Sequence, residues 1–223
     1  MSIKNINGIN ELLNRTKNIP FSNMNKTSLN SLYSIYKKIQ EEGDVMNTER
    51  NPVNHVKITS FHQLSNFDNL QGHYIAPTII KTIKNRSCDE FLYLHNFKKY
   101  TLKVHFIILD TNSYSKDIHN LPIMMNKIIL LFGLLNNYVS IKCDKVLNVY
   151  IYLTPNKKRL PIQESITIGP EHVNTGFASS CSSNGNITIY RSEEWFKVLI
   201  HECIHFFNLD FSNNLYTKIS ERI

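Results

Sequence analysis

Cysteine is scarce in this sequence, and its spacing carries no motif. The 223 residues contain four cysteines, none of them in a paired C-x-x-C arrangement: Cys88, Cys143, Cys181 and Cys203. The first residues, Met1–Asn5, show neither the apolar core of a secretory signal nor an arginine-rich presequence. We therefore expect free thiols in a reducing, intracellular compartment such as the cytoplasm.

Long apolar runs are also missing. The longest covers eight residues, 128–135, whereas a helix that spans a bilayer needs about 20. We expect a soluble protein without a membrane partner. A length of 223 residues and a hydrophobic content of 42% suit one core domain with an extension, or two small domains.

Acidic residues are outnumbered by basic ones. The sequence has 18 Asp and Glu against 25 Lys and Arg, a formal net charge of +7. This excess of basic residues favours binding to an acidic partner such as nucleic acid. The basic residues are scattered, however, with 157–159 as the densest cluster, and no RRM, C2H2 or helix-turn-helix signature is present. A basic solvated surface is the favoured interpretation, and a nucleic-acid binder is the weaker alternative.

The first 95 residues predict a partly helical extension. Residues 1–26 are polar and Asn-rich, which favours partial disorder. A helix follows, with Thr27 or Ser28 as its cap and Gly43 as its end. Residues 44–70 are rich in turn signals. The stretch 74–83 fits either an edge strand or a short broken helix, and 88–90 is typical of a turn.

Residues 96–223 predict an α+β domain. The pattern favours a strand over 100–110, a helix that begins at Asp117 or Asn120 and ends near Tyr138, and a second strand over 147–153. A third strand is expected over 173–179, then a turn and a strand over 187–190. The last strand leads into a helix that Ser192 can cap, with Glu193 and Glu194 in its first turn.

That helix carries the motif H-E-x-x-H as His201, Glu202 and His205. Residues four apart lie one turn apart on the same face, so both imidazoles can reach one metal ion. Glu202 falls on the flank of that face, where it can take a proton from a water molecule. With 9 His and 11 Glu in the chain, chance would produce this motif in about 2% of such sequences. The opposite side of the helix is apolar and is expected to be buried: Trp195, Phe196, Leu199, Ile200, Cys203, Phe206 and Phe207.

This segment resembles the zincin metallopeptidases, whose active-site helix carries H-E-x-x-H. The stretches 173–178, 187–191 and 205–212 are similar to predicted metallopeptidases encoded by large DNA viruses. The resemblance covers about the last third of the chain. It implies a zincin-like fold with a small twisted sheet backed by helices, Zn²⁺ held by His201 and His205, and Glu202 as the general base. It also implies a viral protein located in the host-cell cytoplasm or the virion.

The sequence departs from the family where a third metal ligand is needed. A catalytic zinc usually has three protein ligands and a water molecule. The metzincin extension would require Gly at 208 and His or Asp at 211, but the chain has Asn208 and Phe211. A gluzincin would use a later glutamate, for which Glu221 is the one candidate. Asp210 is the other acidic residue, only five positions after His205. A chain that is a shortened version of a longer protein would explain the missing third ligand. Such a chain is expected to bind zinc weakly or to be inactive.

The resemblance also implies a substrate-binding edge strand. Asn174, Gly176 and Phe177 would line the cleft and pair with an extended peptide or protein substrate. An ordinary hairpin is an equally good account of each residue. Cys181 is close to the motif in sequence, which suggests that its thiolate binds the zinc ion and inhibits the enzyme. We predict a hydrolase that cleaves peptide bonds through a zinc-bound water. The alternative is a catalytically inactive zincin fold that serves as a binding or structural module.

Overall fold

The chain forms two compact units, Met1–Gly43 and Asp44–Ile223. The computed structural model describes residues 25–41, 49–71, 75–109, 114–139, 143, 145–159, 161, 167–181 and 185–210. The expected disorder of the N-terminal segment concerns residues outside these ranges, apart from 25 and 26. The proposed boundary between residues 95 and 96 falls inside a strand of the second unit.

The first unit contains helix α1, Lys26–Glu41. The side-chain oxygen of Asn25 accepts a hydrogen bond from the N–H of Ser28 at 2.8 Å, as an N-cap residue does. The predicted helix is confirmed, but its cap is Asn25 rather than Thr27 or Ser28.

In its described residues, the second unit is a six-stranded mixed sheet with helices on both faces. Its strands are β1 Asn54–Ile58, β2 Cys88–Asn96, β3 Thr101–Leu109, β4 Val146–Tyr152, β5 Gly176–Ala178 and β6 Asn186–Ile189. Its helices are α2 Pro77–Lys84, α3 Tyr114–Leu135, α4 Pro170–Val173 and α5 Trp195–Phe206, with 3₁₀ turns at Phe61–Gln63 and Asp68–Gln71. The α+β class is confirmed.

The strands lie in the order β1-β2-β3-β4-β6-β5. β1, β2 and β3 form an antiparallel meander. β4 is parallel to β3, and β6 is parallel to β4. β5 closes the row as an edge strand antiparallel to β6. The predicted succession of strand, long helix and strand is therefore confirmed as β3, α3 and β4.

Two apolar cores lie on opposite faces of the sheet. Alternation along β4 separates them: Leu147, Val149 and Ile151 face the first core, and Tyr150 and Tyr152 face the second. The first core packs against α3 and α5, and the second packs against α2 and the 3₁₀ turns. β3 is almost continuously buried because both of its faces are covered.

The structure decides one open prediction for the middle of the chain and overturns another. Residues 77–84 form helix α2 with Pro77 in its first turn, which decides between the two alternatives for 74–83. Residues 88–90 begin strand β2 instead of forming a turn. Polar Asp89 and Glu90 are tolerated there because His55 on β1 and His105 on β3 pair with them across the sheet.

Helix α3 has a stretch, Asp117–Leu135, that is long and apolar enough to cross a membrane by length and composition alone. One side of this helix packs in the first core, where Leu121, Met125, Ile128 and Phe132 are at most 1% exposed. This packing is that of a core helix of a mixed α+β domain.

Candidate metal centre

The motif helix α5 starts where two parallel strands end side by side. Thr154 follows β4 and Ser192 follows β6. The Thr154 hydroxyl donates to the carbonyl of Tyr190 at 2.6 Å, and the Ser192 hydroxyl donates to the carbonyl of Thr154 at 2.9 Å. Ser192 therefore joins two strand ends and does not cap α5, contrary to the prediction.

The residue before α5 is Glu194, in the left-handed conformation with φ 55°. Its carboxylate receives hydrogen bonds from the ammonium groups of Lys158 and Lys197. These two lysines lower the pKa of Glu194. The neighbouring Glu193 accepts the backbone N–H of Lys158 at 2.5 Å. Lys158, which the sequence placed in a solvated basic loop, thus ties the loop after β4 to the start of the motif helix.

The predicted division of α5 into a buried and an exposed side holds in part, since Trp195 and Phe196 are only partly buried. Leu199, Cys203 and Phe206 are buried against the sheet, and both motif histidines are exposed. Ile200 is 39% exposed, although its position predicted burial. Glu202 is buried at 9% exposure rather than standing freely on the flank of the histidine face.

The two motif histidines face each other through one nitrogen atom each. His201 Nε2 lies 3.1 Å from His205 Nε2, and the ring planes cross at 83°. Two nitrogen ligands at about 2.05 Å from a tetrahedral zinc ion lie about 3.3 Å apart. The separation of the pair therefore fits a shared zinc ion after a shift of a few tenths of an ångström.

Asp210 approaches the far side of the second histidine. His205 Nδ1 lies 2.7 Å from Asp210 Oδ2, so the Nδ1–H donates to the carboxylate. In the neutral ring, this bond puts the lone pair on Nε2, the atom that lies within hydrogen-bond distance of His201 Nε2 and that a metal ion would bind. Sequence reasoning weighed Asp210 only as a direct ligand and missed this orienting role.

The end of α5 explains how Asp210 reaches His205. Asn208 takes the left-handed conformation with φ 56°. Its N–H donates to the carbonyl of His205 at 3.0 Å, and the N–H of Leu209 donates to the carbonyl of Ile204 at 2.9 Å. These two bonds make a Schellman C-cap, for which Asn is a suitable left-handed residue. The chain reverses there and brings Asp210 back alongside the last helical turn.

Glu202 is the buried acidic residue of the motif. Burial raises the pKa of its carboxyl group, and the imidazoles of His201 and His205 act in the opposite direction. The carboxylate also contributes to raising the pKa of the buried Tyr190 phenol, although burial is the main cause.

A complete set of three metal ligands is not found among the described residues. They contain no group of three or more His, Cys, Asp or Glu side chains arranged to hold a metal ion. Glu221, the predicted third ligand, lies outside the described residues. The histidine pair and its orienting carboxylate fit a metal ion, but they provide two ligands.

The predicted substrate-binding residues lie on or beside the edge strand. Gly176 and Phe177 belong to β5, and Asn174 precedes it. A Cβ atom on Gly176 would stand 2.7 Å from Ile189 Cδ1 and 3.1 Å from Val198 Cγ1. Gly176 therefore permits close packing of β5 on α5, in addition to any approach by a substrate.

Phe177 is turned towards the other side of the sheet. It packs against the second core, whereas α5 packs against the first. The structure thus brings Gly176 next to the motif helix but places the Phe177 ring on the opposite face.

Arg191 is a buried cation that sequence reasoning did not identify. Its guanidinium donates to three backbone carbonyls, those of Asn174 at 3.0 Å, Glu171 at 2.8 Å and Asn156 at 3.3 Å. Burial lowers its pKa, and the neighbouring Tyr190 and Glu193 act in the opposite direction. Arg191 fastens the segment before β5 to the segment that leads into α5.

Cys181 cannot act as an inhibitory zinc ligand in this structure. It forms a disulfide with Cys143 and is fully buried. Its backbone N–H donates to the carbonyl of Phe206 at 3.2 Å, at the end of α5. The expectation of four free thiols is therefore wrong for this pair, while Cys88 and Cys203 are free and buried.

Comparison with protein-family models, with curated proteins and with solved structures gave no match for this chain.

Proposed function

We propose that this protein is a zinc-dependent metallopeptidase of zincin-like fold. The observation that carries the proposal is the 3.1 Å separation between His201 Nε2 and His205 Nε2 on an exposed face of α5. Two imidazole nitrogens that converge at this distance form a suitable pair of zinc ligands. The carboxylate of Asp210 supports the same assignment because it orients His205 with the lone pair on Nε2.

Each motif residue has a distinct role in the proposed reaction. His201 and His205 hold the zinc ion, which when bound polarises a peptide carbonyl and makes a water molecule more acidic. Glu202 accepts the proton of the attacking water and passes it to the leaving amine. Asp210 keeps the His205 ring in position throughout.

The edge of the sheet offers a place for an extended substrate. In the described part of the sheet, β5 pairs with β6 on one side and has no strand on the other. A peptide can add to such an edge through backbone hydrogen bonds. Arg191 holds the carbonyl of Asn174, just before this edge, in a fixed place. Asn174 and Gly176 are the proposed contacts from this strand, with Phe177 supporting it from the opposite face.

The second candidate function is a non-catalytic binding or structural module. It is favoured by one observation: only two ligands of the three that a catalytic zinc requires are brought together among the described residues. Glu221 remains the proposed third ligand of the active form.

Metal content and peptide cleavage together test the proposal. We expect the natively purified full chain to contain one zinc per molecule, and His205→Ala to lose it. His119→Ala, which removes an exposed histidine of α3, controls for a general effect of histidine loss and should keep the metal. A chain without zinc, or with equal zinc in His205→Ala, contradicts the metal site.

Catalysis needs a separate measurement on the zinc-loaded protein. Glu202→Gln should retain zinc and lose about 100-fold or more of the cleavage rate on a peptide library, because general-base catalysis contributes about 10²–10⁴-fold. Zinc binding without any cleavage by the wild type, or with equal cleavage by Glu202→Gln, would favour the non-catalytic module.

A further inference from the structure

An open cavity of about 920 Å³ lies on the sheet face opposite the motif helix. Its apolar lining includes Phe61, Phe67, Ile75 and Ile80. Phe61 belongs to the 3₁₀ turn Phe61–Gln63 and Ile80 to helix α2, and Phe67 and Ile75 lie in the segments between regular elements. This volume is within the range of about 300–1,000 Å³ that small-molecule sites occupy.

Three of the rings that line the cavity are arranged as a preformed aromatic corner. Phe61 and Phe67 meet edge to face, with ring centroids 5.3 Å apart. His62 lies against the same Phe67 ring at 4.5 Å. Contacts among these rings restrict their rotamers, so a ligand would lose little free energy in ordering them.

Two ammonium groups stand at the edge of this apolar surface. Lys81 and Lys84 both line the cavity from consecutive turns of α2. Lys84 Nζ lies 4.9 Å from the centroid of the Phe61 ring, so its charge is held over the aromatic corner. No acidic side chain is found among the described residues that line the cavity.

We propose that this cavity binds a small organic anion, with an apolar ring or chain on Phe61 and Phe67 and a carboxylate or phosphate group facing Lys81 and Lys84. The apolar lining supplies the burial, and the two lysines supply charge complementarity. A purely apolar ligand would leave both ammonium groups unused, and a simple inorganic anion would leave the aromatic corner unfilled. The formal net charge of +7 favours the approach of such a ligand.

A matched pair of fluorescent probes separates the two parts of the site. 8-Anilinonaphthalene-1-sulfonate carries fused rings and a sulfonate, whereas N-phenyl-1-naphthylamine has the same rings without the charge. We expect the full-length protein to bind the sulfonate more tightly than the neutral amine. We also expect added salt to weaken binding of the sulfonate only.

Variants then locate the site. The double variant Lys81→Gln/Lys84→Gln should weaken binding of the sulfonate about 3- to 20-fold, the range for two partly exposed charge pairs, and leave the amine unaffected. The control double variant Lys98→Gln/Lys99→Gln makes the same change of charge at the exposed turn between β2 and β3. It should leave the affinity for both probes unchanged. Ile80→Glu, which places a carboxylate in the lining, should reduce sulfonate binding in a protein whose lysines are intact.

Competition identifies the chemical group. Displacement of the sulfonate by 1-naphthoate alone assigns a carboxylate ligand, and displacement by 1-naphthyl phosphate alone assigns a phosphate ligand. Displacement by inorganic phosphate at the same concentration would overturn the proposal, because the apolar surface would then contribute nothing. Equal binding of the two probes, or an unchanged affinity in both the lysine and the Ile80 variants, would also overturn it.

Discussion

His205 Nδ1 and Asp210 Oδ2 lie 2.7 Å apart across the reversal of the chain that ends helix α5. The bond joins a motif residue to a carboxylate outside the motif. It fixes the ring orientation and tautomer of His205 while the second ring nitrogen faces His201. Asp210 therefore acts on the proposed metal through His205.

The first prediction concerns zinc affinity. Asp210→Ala should weaken zinc binding about 10- to 100-fold, the usual cost of losing a carboxylate that orients a metal-binding histidine. Competition with a chromophoric chelator measures the affinity. Asp68→Ala, at an exposed acidic residue of a 3₁₀ turn, should change nothing. Unchanged affinity in Asp210→Ala contradicts the orienting role.

The second prediction concerns the buried cation before the motif helix. Arg191→Met should lower the free energy of unfolding by about 2–5 kcal/mol, because three backbone carbonyls lose their charged donor. Urea unfolding followed by circular dichroism measures the loss. Arg86→Met, at an exposed arginine, should stay within about 0.5 kcal/mol of the wild type. A small effect at Arg191 would mean that water replaces the guanidinium at these carbonyls.

The third prediction compares two glycines. Gly176→Ala should destabilise the protein by about 1–3 kcal/mol, because the new methyl group would lie 2.9 Å from the carbonyl oxygen of Thr188 and too close to Ile189. Among the described residues, a methyl group at Gly133 in helix α3 would meet Phe97 Cε1 alone, at 3.8 Å, so Gly133→Ala should stabilise the protein by about 0.5–1 kcal/mol. Equal effects of the two substitutions, measured by thermal unfolding, would exclude close packing of β5 on α5.

The sequence predicted well those features whose residues repeat with the period of a helix or of a strand. The apolar repeat of α3 and the alternation along β4 gave the central strand, helix and strand, and the spacing of His201 and His205 gave the convergence of their rings. These patterns are readable because the contacts that they express recur every turn or every second residue.

The features that it missed depend on partners far away in the chain. The sequence predicts a turn at 88–90 because the polar side chains there find their partners far along the chain, at His105, Ser65 and His55, which are 15, 25 and 34 residues away. Ser192 was expected to cap a helix but binds Thr154, 38 residues earlier. Asp210 had a local signal that was not used, since Asn208 is a suitable left-handed C-cap residue that turns the chain back.

The last prediction uses the buried pair of Glu90 and His105, whose side chains lie 2.6 Å apart on neighbouring strands. Burial by itself would raise the pKa of Glu90. Hydrogen bonds from His105 and Ser65, together with the charge of His105, outweigh burial and hold the pKa below its ordinary value of 4.5. The folded state thus binds a proton on Glu90 less readily than the unfolded state does.

The sign of the pH dependence follows from this difference. The stability that Glu90 contributes is fully present above about pH 4.5, and it is lost as the pH falls through the lowered pKa of the folded state. Glu90→Gln should cost about 1.5–3 kcal/mol at pH 7, the value of a hydrogen bond to a charged group. Its stability should also fall less steeply than that of the wild type between pH 5 and pH 3.

Urea unfolding at a series of pH values measures both effects, and Glu49→Gln provides the matched loss of an exposed carboxylate. That control should follow the wild-type curve. If Glu90→Gln instead kept the full acid sensitivity of the wild type, the loss of stability at low pH would have to come from other carboxylates. In that case the pair across β2 and β3 would contribute to packing alone.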